Sequence, residues 1–481
     1  MTPGAPGDGV PLLHRRLLDL DAITPDTAAT LATKLSIVTL ADLYLSLDDG
    51  RLARTLPESA LANISAAADV VAAELRPLTL GRATDVLQAV QAQLNRTCPQ
   101  LTDVAAAGDV RRYEPLISSL VLVAKAADPV TAIDMIRGAS WVEAVSFCSG
   151  RRALIVFQEM EIDLRVAGPD EYGTVLFLAT GSRAHVHAVS GPSGIRELSA
   201  RESDVYTHAG LPWIAPELRH DSGEVEAART GALPTLVAPS DIRGDLHMHT
   251  TYSDGQDPLE GMIASCVALG YEYIAITDHS ENSGASRSIT RDLLARQRDE
   301  IERLRSKYQP LAILQGVEVD ILPSGALDFP DDVLERLDIV LASLHDAARH
   351  DPATLTRRCL AAIRHPLVNV ITHPANQLVG RRSGYELDYP AVYAAAVETG
   401  TALEVDGAPS HLDLDGEHAR AALAAGVTLT IDSDCHRAKA LARQMAFGVG
   451  TARRGWVGPG HVLNTRSLPA VLEFVAAKRR R

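Results

Sequence analysis

Between residues 12 and 56 the apolar positions recur three and four apart: Leu12, Leu13, Leu17, Leu18, Leu20 and Ile23, then Leu31, Leu35, Leu40 and Leu43. That spacing keeps one face of a helix apolar and predicts short amphipathic helices, with Thr39 placed to cap the one that begins at Leu40. A second helical pattern runs from 57 to 94, with Gly81 as an interruption. Beyond residue 103 the pattern shortens to β-like runs at 116–123, 144–147, 153–157 and 161–166. Helical patterns lie between and after them, which predicts a small α+β domain. The stretch 214–243, punctuated by Pro216, Pro234 and Pro239, reads as a linking loop. From residue 244 onward seven apolar runs stand out, at 246–249, 273–277, 312–319, 339–344, 368–372, 402–405 and 427–431. Amphipathic segments such as 291–308 and 417–425 separate them. Strict β–α alternation predicts a parallel sheet, either a barrel or doubly wound.

Composition narrows the class. A chain of 481 residues holds two to four domains. Its hydrophobic content of 46% matches soluble globular proteins. No apolar run reaches the roughly 18 residues of a membrane span, so no membrane partner is expected. The Pro/Gly-rich residues 1–10 lack the basic start and apolar core of a signal peptide and are expected to be disordered. Cys98, Cys148, Cys266, Cys359 and Cys435 are scattered without a CxxC pair, as in a reducing cytoplasm. The net charge of −15 excludes bulk attraction to polyphosphate. Nucleic-acid contact then has to come from local arginines or from metals. The basic tail 478–481 is expected to be a solvated, frayed end.

The ends of the seven runs carry the candidate chemistry. The first delivers His247 and His249, which share one face of a strand because side chains alternate with period two. Asp254 follows after a short polar turn closed by Gly255. The second run ends in Asp278-His279, the third in Glu318-Val319-Asp320, the fourth in His345, the fifth in His373 and the seventh in Asp434-Cys435-His436. In a barrel the C-terminal strand ends form the active face, so six of the seven runs bring a His, Asp or Glu to one rim. Imidazole and carboxylate ligands without thiolate clusters point to Zn, Mn or Fe. Cys435, between two candidate ligands, faces the other way and is expected to be structural.

The order His-x-His, Asp, His, Glu, His, His, Asp-x-His resembles the PHP (polymerase and histidinol phosphatase) domain, a metal-dependent phosphoesterase. The resemblance is closer to the bacterial family X DNA polymerases that carry a C-terminal PHP domain. The phrases Gly210-Leu211-Pro212-Trp213-Ile214-Ala215-Pro216, Asp241-Ile242-Arg243-Gly244-Asp245-Leu246-His247, Gly448-Val449-Gly450-Thr451-Ala452-Arg453-Arg454-Gly455-Trp456 and Thr180-Gly181-Ser182 are similar to that branch. The resemblance covers about residues 12–477. It implies an α/β fold: residues 1–100 as a degenerate helix-hairpin-helix-like region, 101–235 as a degenerate nucleotidyltransferase-like palm and thumb, and 240–481 as a distorted (β/α)7 PHP barrel. It further implies two or three divalent ions, Mn²⁺ or Zn²⁺ with Fe²⁺ a further option, on His247, His249, Asp254, His279, Glu318, His345, His373, Asp434 and His436. Glu318 and Asp434 would bridge ions. His247, His249, Glu318, Asp434 and His436 would carry the catalysis.

The polymerase-like half departs from the family pattern. Its three metal-binding carboxylates fall at Ser119, Val121 and Asp163, and a serine and a valine cannot replace two anionic ligands. Polymerase activity is therefore expected to be absent, with Asp163 and Asp109 left as ordinary surface carboxylates. The glycine hairpin that holds DNA phosphates is missing at residues 20–27. After His373-Pro374 the family's Thr-Gly-Arg is replaced by Ala375-Asn376-Gln377, leaving Arg381 and Arg382 as candidate phosphate contacts. Asp320 is placed to orient a neighbouring ligand.

The expected activity is hydrolysis of a phosphate ester, with the ions lowering the pKa of water and neutralising charge on the phosphoryl oxygens. Resemblance favours a DNA 3′ end or nucleotide as substrate, through 3′–5′ exonuclease or 3′-end processing activity. The acidic charge and the eroded DNA-binding half favour a small phosphomonoester, as in histidinol phosphatases. A non-catalytic DNA- or partner-binding scaffold is a third reading. The proton donor to the leaving oxygen, an outer histidine or a water on the ions, stays open.

Overall fold

The leucine spacing of the first hundred residues resolves into helices α1 (Leu12–Asp19), α2 (Pro25–Leu35), α3 (Leu40–Asp48), α4 (Arg51–Thr55) and α5 (Glu58–Glu74). In this computed structural model, residues 9–75, 77–191, 194–284, 287–345 and 350–480 are described. Of residues 1–10, expected to be disordered, 1–8 lie outside them. Leu17, Leu31, Leu43, Leu52, Ile64 and Val71 close a helical core. Each such side chain contributes about 1.5–3 kcal/mol by leaving water. Thr39 and Asp42 form the reciprocal cap that starts α3. Asp21, at φ +53°, makes the left-handed turn between α1 and α2 within the segment where the family's glycine hairpin is missing. Asp tolerates that conformation better than most side chains.

The chain breaks at β1 (Leu78–Thr79), and α6 (Leu80–Thr97) starts immediately after it. Gly81 is thus not the interruption but part of the first turn of α6, which Thr79 caps. There follow β2 (Thr102–Ala106), α7 (Gly108–Arg111), β3 (Leu116–Ile117), β4 (Leu120–Lys125), α8 (Pro129–Arg137), β5 (Ala144–Ser149), β6 (Arg152–Phe157) and β7 (Met160–Ala167). The run 116–123 is two strands rather than one: β3 pairs with β1, and β4 joins a five-stranded sheet of order β2-β4-β7-β6-β5. The β4–β7 pair is parallel and the others antiparallel. The edge strand β2 went unforeseen because its residues are polar or small and half exposed. Helices α9 (Tyr172–Thr180), α10 (Arg183–Ser190), α11 (Glu202–His208) and α12 (Glu224–Thr230) follow, the last inside the stretch read as loop. These elements form one compact unit, Met1–Leu233, and Pro234–Arg481 forms a second.

In the second unit six of the seven apolar runs become strands, while the first, 246–249, follows directly after a two-residue strand: β8 (Gly244–Asp245), β9 (Tyr273–Ile276), β10 (Ala312–Asp320), β11 (Ile339–Ser343), β12 (Val370–Ile371), β13 (Ala402–Asp406) and β14 (Leu429–Asp432). Helices α13 (Leu259–Ala268), α14 (Arg291–Lys307), α15 (Asp331–Leu334), α16 (Pro352–Arg364), α17 (Tyr389–Thr399) and α18 (Gly416–Ala425) lie between them, with α19 (Leu441–Arg454) and α20 (Leu468–Arg479) after. The strands are parallel and neighbours in chain order. Burial on both faces explains why they read as continuous apolar runs. The sheet nearly closes on itself. Met248 bridges Cys435, His249 N donates to Cys435 O at 2.9 Å, and Leu246 N donates to Asp432 Oδ1 at 2.8 Å. This is a barrel, not a doubly wound sheet.

Helix α20 seals the end opposite the site. Val471 and Val475 join Leu246, Tyr273, Ile339 and Ala402 in one apolar cluster. The basic tail is consequently not frayed: Lys478 is buried, with its ammonium donating to Ile363 O and Thr401 Oγ1, and Arg479 donates to Leu337 O. Arg481 lies outside the described residues. Among the described residues no single helix is long and apolar enough to cross a membrane.

Candidate metal centre

The C-terminal end of the barrel gathers all nine candidate ligands. His247 and His249, one pleat apart beyond β8, bring their Nε2 atoms to 3.1 Å. Glu318, on β10, sends Oε2 to within 3.5 Å of His247 Nε2, 3.6 Å of His249 Nε2 and 2.7 Å of His279 Nδ1. Its other oxygen faces His373 Nε2 at 2.9 Å and His345 Nε2 at 3.7 Å. Asp434 Oδ1 lies 3.0 Å from His249 Nε2 and 3.6 Å from His247 Nε2. Asp254 Oδ1 reaches His436 Nε2 at 3.2 Å and His279 Nε2 at 3.6 Å.

Asp254 returns to the rim because the turn before it is pinned. Asp278, fully buried, accepts from Thr250 N, Ser253 N, both hydroxyls of those residues and Gln297 Nε2. Gly255 completes the return, since a Cβ there would lie 2.6 Å from the His249 carbonyl. Two ligands sit at left-handed backbone angles, His373 at φ +27° and Asp434 at φ +46°. Strain of that kind, held by the surrounding structure, is common at functional sites.

The donor set fits divalent ions. Ligands about 2.1 Å from one tetrahedral ion sit roughly 3.4 Å from each other, close to the spacing of these nitrogens and oxygens. Glu318 Oε2 and His279 Nδ1, although 2.7 Å apart, are both buried without a hydrogen bond among the described residues. A buried polar atom left unpaired costs about 1–3 kcal/mol, and a bound ion would supply the missing partner. Three groups have donor atoms close enough to share one ion: His249, Asp254, His279 and His436; His247, His249 and Glu318; His279, Glu318 and His345.

The electrostatics point the same way. Burial disfavours charge on Glu318 and Asp434, yet the imidazoles around them hold both carboxyls well below the ordinary range. Burial likewise opposes protonation of His279 and His373, but the Glu318 carboxylate lifts both to about 9. His249 goes the other way: burial, with His436 and His279 beside it, lowers it to about 3. The carboxylates thus demand positive charge in the cluster, which protons or metal ions can meet.

A second layer of acids orients the rings. His247 Nδ1 donates to Glu404 Oε1 at 2.7 Å, and His345 Nδ1 donates to Asp320 Oδ1 at 2.7 Å. With Nδ1–H committed to a carboxylate, each ring turns the lone pair of Nε2 inward. Glu404 Oε2 also accepts from His373 N at 2.8 Å. Asp320 was legible beside Glu318. Glu404 was missed, although it stands on the inward face of the sixth run, the one not credited with a site residue. Asp245 and Asp432, also missed, bind the backbone of the His-x-His and Asp-x-His segments: Asp245 Oδ1 accepts from His247 N and Ser433 N, and Asp432 Oδ1 from Leu246 N. His411 stacks on His373 with ring centroids 5.5 Å apart.

Other residues singled out in the sequence fall as follows. Cys435 is buried, in one apolar cluster with Met248 and Cys266. Gln377 spends its amide on Leu412 O. Arg382 is tethered, Nη2 donating to Asn376 O at 2.7 Å and Oδ1 at 3.0 Å, while Asn376 donates to Leu344 O and Tyr385 Oη. Arg381 is exposed. Asp163 and Asp109 are not ordinary surface carboxylates. Asp163 is buried under Arg152 and Arg165, and Asp109 is bound to Arg112 and Ser118, because arginines stand where solvent or cations would otherwise satisfy them.

Comparison with known proteins follows this division. The sequence profile of the PHP domain matches residues 245–385. The chain is 34% identical over 389 residues to "DNA polymerase/3'-5' exonuclease PolX" of Bacillus subtilis, spanning 77% of this chain and 68% of that protein. It is 28% identical over 242 residues to a "Probable phosphatase" of Syntrophotalea carbinolica, spanning 48% of this chain and 95% of the phosphatase. Among solved structures, histidinol phosphate phosphatase of Lactococcus lactis aligns with 44% of this chain and 93% of its own, at 16% identity and a TM-score of 0.35.

Proposed function

The chain belongs to the family X DNA polymerases with a PHP domain and is a metal-dependent phosphoesterase, and from that premise we propose that its barrel trims DNA 3′ ends as a 3′–5′ exonuclease. One observation carries the proposal: nine inward His, Asp and Glu side chains at the C-terminal barrel rim, with bridging Glu318 offering one oxygen to each side of the cluster. In this reading His247, His249, Asp254, His279, Glu318, His345, His373, Asp434 and His436 hold two or three divalent ions. Such ions supply a hydrolytic water acidified toward neutrality and positive charge against the phosphoryl oxygens.

The residues of the chain do the rest. His247, His249 and Glu318 form the dry floor, with side chains fully buried. His345 and His436, 25% and 32% exposed, form the mouth through which a phosphate enters. Glu404 and Asp320 keep the rings aimed. Five of the nine ligands come directly off strand ends, and rigid strands hold such a constellation more closely than loops do.

A second reading, a phosphomonoester phosphatase, draws support from the probable phosphatase of Syntrophotalea carbinolica, 95% of whose length aligns with 48% of this chain. One experiment separates the two. The protein is incubated with Mn²⁺ and a 5′-labelled single-stranded oligonucleotide, and in parallel with p-nitrophenyl phosphate, beside His247→Ala. A ladder of shortened products that disappears in the variant supports the exonuclease. Monoester cleavage without any ladder transfers the proposal to the phosphatase. No cleavage of either, with metal loss unfolding the barrel, leaves only a structural role for the ions.

A further inference from the structure

The polymerase half of this family places two metal ions on three carboxylates, and the palm of this chain does not fit them. Strand register brings the three positions together: β4 pairs in parallel with β7 so that Val121 stands opposite Asp163, and Ser119 directly precedes β4. The donors are one hydroxyl, one hydrocarbon and one carboxylate.

That carboxylate is already in use. Asp163 Oδ1 accepts from Arg152 Nε at 2.7 Å. Its Oδ2 accepts from Arg152 Nη2 at 2.8 Å, Arg165 Nε at 3.0 Å and Arg165 Nη2 at 2.7 Å. Arg152 then forks onward, donating from Nη1 to Asp42 Oδ1 at 3.2 Å and from Nη2 to Asp42 Oδ2 at 2.8 Å. Asp42 belongs to the cap of α3 and accepts from Thr39 N as well. Across the same cavity, of about 510 Å³, Asp109 is bound by Arg112 and by the amide and hydroxyl of Ser118. Three acids therefore meet three arginines. A metal-binding carboxylate cluster repels itself until cations arrive; this wall is neutral without any.

We infer that Arg152 and Arg165 stand in for the metal ions of the palm, and that Asp163 is the centre of an Asp42–Arg152–Asp163–Arg165 clamp holding the N-terminal helices on the sheet. A guanidinium suits the part. It carries fixed charge and presents two parallel N–H groups to two oxygens, as Arg152 does toward both acids. The clamp joins residues 110 apart in sequence and ties the helical region to the palm, beside the Leu12 N to Glu161 Oε2 bond at 3.3 Å. It follows that the lost carboxylates alone do not restore an ion site, because Arg152 still occupies Asp163.

The test uses the full chain. Asp163→Asn, Arg152→Gln and the milder Asp42→Asn, which cuts the arm to α3 together with the Asp42 side of its cap, are compared with the parent, with Thr39→Val, which breaks the cap and leaves the arm, and with a Ser119→Asp/Val121→Asp double variant. Three quantities are read: bound Mn²⁺ by equilibrium dialysis, thermolysin cleavage within residues 12–74, and templated nucleotide incorporation. The clamp predicts equal Mn²⁺ in all, thermolysin cleavage at least about tenfold faster in Asp163→Asn, Arg152→Gln and Asp42→Asn, and no incorporation by the double variant. Loss of one equivalent of Mn²⁺ in Asp163→Asn, a gained ion with incorporation in the double variant, or unchanged proteolysis in Asp42→Asn each overturns it. Should Asp163→Asn fail to fold, Asp42→Asn and the double variant still decide.

Discussion

Replacing Glu404 by glutamine isolates the contribution of the acids that stand behind the ligands. The Glu404 carboxylate receives two donors, His247 Nδ1–H at 2.7 Å and the His373 backbone N–H at 2.8 Å, both in a fully buried setting. Glutamine is the same size but offers one oxygen and one NH₂. Whichever way the amide turns, its NH₂ meets a donor, so one bond is lost and a buried N–H goes unsatisfied, at about 1–3 kcal/mol. If the histidine loses its partner, Nε2 is no longer held inward and is less basic. Loss of such a partner behind a metal ligand weakens metal affinity about 10–100-fold, or roughly 1.4–2.7 kcal/mol. The assay is calorimetric titration of the metal-free protein with Mn²⁺, alongside hydrolysis at rising Mn²⁺. The expected variant binds Mn²⁺ more weakly and recovers most of its rate when Mn²⁺ is raised in proportion. Unchanged affinity and rate would refute the reasoning, and a lower melting temperature with unchanged affinity would make Glu404 a structural strut only.

Three further outcomes are expected. Stripping ions with a chelator abolishes hydrolysis, and restoring Mn²⁺ to about 100 times its Kd adds roughly 2.7 kcal/mol to the stability of the barrel, read as a rise in its melting temperature; a melting curve indifferent to Mn²⁺ contradicts an ion centre there. In the first unit burial alone would raise Asp163 and Glu202, but Arg165 and Arg152 pull the first, and Arg219 and Arg111 the second, down to about 2. Carboxyls depressed in the folded state add stability above the ordinary carboxylate pKa and lose it as pH falls toward 2, so each contributes on the order of 2–3 kcal/mol that disappears between about pH 4 and 2; Asp163→Asn should flatten that slope, and denaturant melts at pH 4 and pH 2.5 that keep the parent's slope in the variant count against it. Cys435, whose thiol burial pushes up to about 12, should resist iodoacetamide in the native protein and, as Cys435→Ser, leave hydrolysis within a few-fold; rapid labelling or loss of activity would place the sulfur in the chemistry.

How much could be read beforehand depended on whether a residue's role is local. Six of the seven barrel strands were legible because a parallel strand buried on both faces is a continuous apolar run, and β8 lay just before the run read in its place. Most of the rim residues were legible because they sit at or just beyond the end of such a run, while Asp254 lies farther on, past the turn closed by Gly255. Glu404 stands at the end of the sixth run in the same Glu-Val-Asp phrase as Glu318 and was passed over all the same. The arginine clamp was out of reach for a different reason. Arg152 and Asp42 are 110 residues apart, and neither sits in a pattern that marks it. Lacking that pairing, sequence reasoning left Asp163 at the surface. Lys478 misled similarly: a terminal basic run is usually solvated, and only the three-dimensional course of α20 brings its ammonium to two buried oxygens.

The two halves have met the same electrostatic problem in opposite ways. Clustered carboxylates stay ionised when buried together only if positive charge joins them. In the barrel that charge is left exchangeable. Glu318 and Asp434 face imidazoles, which bind protons or, when deprotonated, ligate ions, and the mouth between His345 and His436 keeps a path open. In the palm the charge is built in. Arg152, Arg165 and Arg112 cannot deprotonate or leave, so the carboxylates they cover are permanently neutralised and structurally committed. An exchangeable counter-charge leaves room for ions, whereas a covalently fixed one takes up the carboxylate oxygens an ion would need.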